Sequence, residues 1–86
     1  MYQIIKRDGK IADFDISKIA SAMKKAFEAT NTEYTDNIID FLALKVTADF
    51  LPKIKDGFVA VEDVQDSVES VLIQGGYDAV AKSYIL

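Results

Sequence analysis

Four basic side chains lie close together in the first quarter of the sequence, and their placement suits an anion. Lys6 and Arg7 end one strand-like run, Lys10 begins the next, and Lys18 falls in the first turn of a predicted helix. A cation at that place opposes the helix dipole unless an anion binds there. Free backbone N–H groups at the helix start and these cations could together hold a phosphate chain. On spacing alone, solvated surface lysines are the more frequent arrangement.

Composition excludes several other kinds of site. The 86 residues contain no cysteine and no histidine, which removes disulfides, thiolate metal sites, cysteine nucleophiles and the usual general base. The net charge is −4. Residues 1–25 carry six cations and three anions, whereas residues 26–86 carry four cations and eleven anions. An acidic chain with a basic start argues against direct nucleic-acid binding and favours a compact anion. We expect no membrane segment, no protein metal site and a cytoplasmic location.

The N-terminal third is predicted to form a β-hairpin followed by a helix. Runs at 2–7 and 10–14 flank Asp8-Gly9, a dipeptide that predicts a type I′ turn with positive φ at both positions. Gly9 could serve that turn or let the backbone approach a ligand. Asp15 has the place of a helix N-cap. The helix then presents one apolar face, made by Ile16, Ile19, Ala20, Met23 and Phe27.

A second helix is predicted from about 36 to 51, capped by Thr35 and ended near Pro52. Its inner face comprises Ile39, Leu42, Ala43, Val46 and Phe50. Further apolar residues broaden that face and predict the most buried helix of the fold, namely Ile38, Phe41 and Leu44. The phenylalanines are expected to point inward, with Phe14 as a candidate exception because it lies beside the basic cluster: Phe14, Phe27, Phe41, Phe50 and Phe58.

The remainder predicts one strand and two helices. Residues 58–60 are β-prone and could add a third strand to the hairpin. A helix follows and ends at Gly75-Gly76. A fourth helix is expected from Tyr77 onward, its apolar face continuing through Tyr84 and Ile85. The order ββ-α-α-β-α-α is an α+β arrangement, in which a small three-stranded sheet covers four helices.

Two segments at the start of the chain resemble the opening signature of the ATP-cone domain of ribonucleotide reductases. These are Ile4–Gly9, which reads IIKRDG, and Phe14–Ile19, which reads FDISKI. Residues 61–69 resemble the third helix of that family, and residues 81–86 resemble its last helix. The resemblance covers essentially the whole chain. The wording of the last helix is most similar to the N-terminal domain of the anaerobic ribonucleoside-triphosphate reductase.

This resemblance implies that residues 1–86 form one regulatory domain, a fragment of a longer chain, with no catalytic residue of its own. ATP would activate the parent reductase and dATP would inhibit it, in each case as the magnesium complex and with no covalently bound cofactor. The catalytic domain of the same chain and further copies of the cone are the implied partners. Ile4 and Ile19 would flank the adenine, and the phosphates would contact Lys6, Arg7 and Lys18. Gly9 stands at the turn beside them, and Asp15 and Gln65 would line the pocket.

Two departures from the family pattern bear on nucleotide handling. Ala12 stands where some cones have a carboxylate, and Val61 where some have a hydroxyl residue. Two other functions stay open at this point. One is the cone of a nucleotide-dependent repressor of reductase genes, and the other is a helical protein-interaction module that ignores nucleotides.

Overall fold

The computed structural model describes residues 2–84, and its elements follow the predicted order. The strands are β1 (Gln3–Ile5), β2 (Ile11–Asp13) and β3 (Phe58–Ala60). The helices are α1 (Ile16–Ala29), α2 (Asp36–Phe50), α3 (Val61–Gln74) and α4 (Asp78–Ser83), with a 3₁₀ turn at Leu51–Lys53. Within residues 2–84, no helix is both long and apolar enough to cross a bilayer.

The sheet has the order β2-β1-β3, so the first strand is central. β1 runs antiparallel to β2, with Ile4 opposite Ala12, and parallel to β3, with Ile4 beside Val59. These three residues share the face turned to the helices, where Val59 is buried. Ile5 and Ile11 lie on the other face and are exposed. The predicted hairpin and its third strand are therefore confirmed.

The type of the hairpin turn differs from the prediction. Between β1 and β2 only Gly9 has a positive φ, at 84°. The amide of Gly9 donates to the carbonyl of Lys6 at 2.9 Å, as in a type I turn followed by a left-handed glycine. The Asp8 carboxylate accepts from the Lys10 amide at 3.0 Å, a local bond that holds the chain in this form. The two-residue turn with two positive φ values occurs instead at Asp56-Gly57 (53° and 83°).

Side-chain caps begin the first two long helices, as predicted. Asp15 Oδ1 accepts from the amide of Ser17 at 3.0 Å, and Thr35 Oγ1 accepts from the amide of Ile38 at 3.2 Å. Each bond satisfies an amide that the helix itself leaves without an acceptor. The N-terminal ends of α1 and α2 are thus set by hydrogen bonds between neighbouring residues. Between these ends, both helices bury one face in the shared core.

The prediction that α2 is buried most completely is wrong. Ile38, Phe41 and Leu44 are 37%, 60% and 64% exposed. At 100° per residue these positions turn away from the buried side, which α1 and α3 cover. Phe41 therefore also contradicts the inward prediction for the phenylalanines, whereas Phe27 and Phe50 are fully buried. Ile16 is 36% exposed, because it is the first residue of α1 and lies beyond the core.

The last two helices are joined through the predicted glycine pair. Gly75 is the C-cap of α3 and Gly76 has a φ of 86°, a conformation that costs glycine little. The fourth helix is shorter than expected, since α4 ends at Ser83 and Tyr84 is extended. Tyr84 is nevertheless buried, as the apolar pattern predicts. Ile85, the last member of that pattern, lies outside the described residues.

Candidate functional site

A cavity of about 230 Å³ lies where the sheet meets the first turns of α1 and α3. Five residues that the sequence predicted as a nucleotide site line it together: Ile4, Lys6, Asp15, Lys18 and Ile19. The remaining lining comes from Ala12, Asp13, Val61 and Val64. The fold therefore brings most of the predicted site into one enclosed space.

The apolar part of this cavity is built by three adjoining elements. β1 contributes Ile4 from the inner face of the sheet, and α1 contributes Ile19 one turn beyond its cap. Because α3 begins directly after β3, Val61 and Val64 reach the same space. Ile19 and Val64 are almost fully buried, at 4% and 1% exposure. Aliphatic side chains on several sides suit a flat, largely apolar ring.

The polar part is lined by two lysines and two aspartates, of which Asp13 turns its carboxylate to the other face of the sheet. Lys6 and Lys18 line the cavity beside Asp13 and Asp15. Asp13 Oδ1 accepts from the Gln3 amide group at 2.9 Å, across the paired strands. Asp15 accepts from both the amide and the hydroxyl of Ser17, at 3.0 and 2.6 Å. The lysines therefore remain available for an anion at this wall.

The start of α1 offers an anion fewer amides than the sequence suggested. The amide of Ser17 donates to the Asp15 carboxylate, and the amide of Lys18 donates to the Asp15 carbonyl at 3.1 Å. A helix N-terminus attracts anions through such amides only while they lack acceptors. Anion contact at this end of the helix thus rests mainly on the lysine ammonium groups.

The capping bonds of Asp15 predict a specific dependence of stability on pH. The bonds from Ser17, aided by the charge of Lys18, lower the pKa of Asp15 below its ordinary value of 3.8. A carboxylate with a lowered pKa stabilises the fold fully above its unfolded pKa, and that stabilisation is lost as the pH falls through the folded value. An asparagine at this position would still cap the helix but would not titrate.

We therefore expect Asp15→Asn to narrow the acid-induced fall of the melting temperature below about pH 4. The measurement is thermal unfolding followed by circular dichroism between pH 7 and pH 2. Asp66→Asn, at an exposed carboxylate in the middle of α3 and away from any cap, is the matched control. Identical acid profiles for Asp15→Asn and the original chain would remove the assigned role of this carboxylate.

Arg7 and Gln65, two further predicted site residues, lie outside the cavity lining and contact each other. Arg7 Nη2 donates to Gln65 Oε1 at 2.6 Å, and Arg7 Nε lies 3.3 Å from Glu62 Oε2. Both partners belong to α3, so the guanidinium ties the hairpin tip to this helix. The acidic first turn of α3 draws the arginine, and Glu62 is the partner that the sequence interpretation missed.

Two other residues near the basic cluster have roles in the fold. Gly9 is exposed at the turn, and a Cβ added there would meet no atom within 4 Å, so the turn conformation explains it. Gly9 does not line the cavity. Phe14, the candidate exception among the phenylalanines, packs against Tyr2 and Phe50 with ring centroids 4.8 and 5.5 Å away. Its partly buried ring therefore belongs to the core.

The sequence interpretation also missed Asp13 and Val64 as cavity residues. Asp13 pairs with Gln3 on the face of the sheet that also carries Ile5 and Ile11, so strand alternation gives no signal that this residue borders the cavity. Val64 belongs to the apolar face of α3, and the buried side of that face forms the cavity wall. Ala12 and Val61, noted as departures from the family pattern, both line the cavity.

Wider grooves on the surface share little with the predicted site. The groove between α1 and α4 has a volume of about 500 Å³ but is more open and contains only Lys18 of the predicted residues. Within residues 2–84, no three acidic side chains converge as a metal site would require. The smaller cavity is therefore the strongest candidate, because it combines enclosure, apolar walls and cations.

Comparison with known proteins agrees with this geometry. The family model described as the ATP cone domain matches residues 2–86. The chain is 39% identical to the ribonucleoside-diphosphate reductase subunit alpha of Chlamydia pneumoniae, over 96% of this chain and 8% of that protein. It is 36% identical to the vitamin B12-dependent ribonucleoside-diphosphate reductase of Mycobacterium tuberculosis, over 98% of this chain and 11% of the relative.

A third relative is the anaerobic ribonucleoside-triphosphate reductase of Haemophilus influenzae, which is 31% identical over 98% of this chain and 12% of its own length. The chain thus spans only about a tenth of each curated relative. Their names cover three kinds of reductase, so the similarity does not single out the anaerobic kind. The match of the family model over nearly the whole sequence establishes that this chain belongs to the ATP-cone family.

Proposed function

We propose that the cavity binds ATP or dATP as an allosteric effector. The observation that carries the proposal is the joining, in one cavity, of Ile4 and Ile19 with Lys6 and Lys18. The adenine ring packs between the two isoleucines, where burial of apolar surface favours it. The phosphates extend toward the two lysines, whose ammonium groups form charge-assisted hydrogen bonds with phosphate oxygens.

The size of the cavity supports this division of the nucleotide. At about 230 Å³ it is smaller than the roughly 300–1,000 Å³ of typical ligand pockets. The base and sugar therefore occupy the enclosed part, and the phosphate chain lies at the opening. Magnesium arrives with the phosphates. Arg7 joins the phosphate contacts after leaving Glu62 and Gln65, an exchange that costs little because an exposed ion pair is weak.

Discrimination between ATP and dATP depends on the 2′-hydroxyl that only ATP carries. Asp15 is the carboxylate on the cavity wall that can accept a hydrogen bond from a sugar hydroxyl, whereas the Asp13 carboxylate bonds to Gln3 on the other face of the sheet. Ala12 and Val61 offer no such acceptor. We assign the contact to a carboxylate, and we assign activation to ATP and inhibition to dATP.

The output of this domain lies in a longer cytoplasmic chain. Residues 1–86 serve as its regulatory domain, and the catalytic domain of a ribonucleotide reductase carries out the reaction. This assignment is supported by the reductases named above, in which the matched segment is a small part of the protein. The anaerobic triphosphate reductase is the parent we favour, on the wording of the last helix.

Isothermal titration calorimetry tests the proposal on the chain itself. We expect saturable heat from both ATP and dATP, in the presence of magnesium, and weaker binding of inorganic tripolyphosphate, which lacks the ring that the isoleucines enclose. GTP serves as the matched purine control and is expected to bind more weakly. Absence of saturable heat from both adenine nucleotides, with circular dichroism showing a folded chain, would refute the proposal.

A further inference from the structure

A second apolar stripe runs along α2 on the side opposite the core. Phe41, Leu44 and Leu51 are 60%, 64% and 53% exposed, and Ala48 is also exposed. These residues recur at alternating steps of three and four, and Asn37 precedes Phe41 by four. Leu51 keeps helical backbone angles, so it continues the register of α2. This spacing is that of the a and d positions of a coiled-coil seam.

The fold itself does not use this seam. The contacts of α2 with α1 and α3 are made through its buried residues on the opposite side, such as Ile39 and Val46. At the seam, Lys45 Nζ lies 5.5 Å from the centroid of the Phe41 ring and leaves most of that ring exposed. Single exposed apolar residues are ordinary, but a continuous row of them on one helix marks an interaction surface.

The charges beside the seam select a partner and an orientation. Asp40 occupies the g position before Phe41, and Lys45 occupies the e position after Leu44. In a parallel pair of identical helices, each g residue faces the e residue five positions later on the other helix. Asp40 of each copy would then face Lys45 of the other. An antiparallel pair would instead place aspartate against aspartate and lysine against lysine, which is unfavourable.

We propose that two copies of this chain associate through α2, with the helices parallel about a twofold axis. Phe41, Leu44 and Ala48 form the apolar contact, and two Asp40–Lys45 pairs close it on both sides. The surface is self-complementary, so the assembly stops at a dimer. It does not rest on nucleotide binding, because no residue of the seam lines the cavity.

The association is expected to be weak in the isolated chain. The seam spans only two heptads, so the buried area is small compared with a standard interface of roughly 1,200–2,000 Å². In a longer chain that already holds two cones near each other, the same contact would be favoured by a higher effective concentration. The experiment therefore needs a concentration series that reaches the millimolar range.

Sedimentation equilibrium is the primary test. The weight-average mass should rise with concentration from the monomer value of 9.5 kDa toward twice that value. Leu44→Glu should hold the chain at the monomer mass. Ile73→Glu, at a comparably exposed residue of α3, is the control and should behave like the original chain. A monomer at every concentration, or association that survives Leu44→Glu, would overturn the proposal.

Charge reversal tests the parallel orientation separately. Asp40→Lys and Lys45→Asp should each weaken association roughly tenfold, because each places like charges opposite one another on both sides of the seam. The double variant Asp40→Lys with Lys45→Asp should restore association. Equal behaviour of the two single variants and the double variant would exclude the proposed pairing. Circular dichroism of each variant verifies that these exposed substitutions leave the fold intact.

Discussion

Lys18→Ala is expected to weaken ATP binding by roughly 10–100-fold, the range that corresponds to the loss of one charge-assisted hydrogen bond. Lys18 lines the cavity from the first turn of α1, where it meets the phosphate side of the proposed ligand. The backbone amides of Ser17 and Lys18 already donate to Asp15, so neither amide replaces the lost ammonium group. The fold should persist, since Lys18 is exposed and makes no salt bridge within residues 2–84.

The matched control is Lys25→Ala, which removes the same charge from the same helix. Lys25 lies seven residues further along α1 and does not line the cavity. Its loss should change the dissociation constant less than about threefold, because screening in salt weakens the attraction between distant exposed charges. Calorimetry at fixed ionic strength gives both values. Equal effects of the two substitutions would mean that the chain attracts ATP only through its general basic charge.

Local hydrogen bonding explains which parts of the fold the sequence could predict. Asp15 caps α1 and Thr35 caps α2, each with a side-chain oxygen at the residue just before the helix. Gly76 follows the end of α3 in a left-handed conformation. Each of these features depends on a few adjacent residues. The hairpin turn was predicted less completely. Its position is as expected, but the turn is of another type, in which the Lys10 amide donates to the Asp8 carboxylate.

Features that depend on neighbouring elements were harder to predict. The apolar pattern of α2 is wide enough for a fully buried helix, yet α1 and α3 cover only one side of it. The exposure of Phe41 therefore follows from packing and not from its own segment. Similarly, the pairing of Arg7 with Gln65 joins residues 58 positions apart. Ile4 and Ile19 are assigned to one site only through the family resemblance, and the cavity brings them together.

The Arg7 contacts suggest how ligand binding could be sensed by α3. In the structure, the guanidinium connects the hairpin tip to Glu62 and Gln65 in the first turns of this helix. A phosphate that draws Arg7 away would release the tip from α3, at little cost because both members of the ion pair are more than half exposed. Val61 and Val64 of the same helix line the cavity. We therefore propose that ligand binding acts on the start of α3 from two sides, through Arg7 and through the cavity wall.

An aromatic cluster packs α2 against the ends of the hairpin strands that line the site. Within it, Phe50→Ala is expected to lower the free energy of unfolding by about 3–5 kcal/mol. Phe50 is fully buried at the end of α2. Its ring makes edge contacts with Tyr2 and Phe14, at centroid distances of 5.9 and 5.5 Å, and so joins the helix to the ends of the hairpin strands. That loss is a large part of the roughly 5–15 kcal/mol that stabilises an ordinary domain.

Urea unfolding at micromolar protein concentration measures this change, with Phe41→Ala as the control on the same helix. Phe41 is 60% exposed, and its replacement should alter the free energy of unfolding by less than about 0.5 kcal/mol. Saturating ATP should restore part of the stability of Phe50→Ala, because a ligand at 100 times its dissociation constant adds about 2.7 kcal/mol to the folded state. A loss below about 1.5 kcal/mol, less than typical for an aromatic core residue, would mean that the strand ends hold the cavity without this cluster.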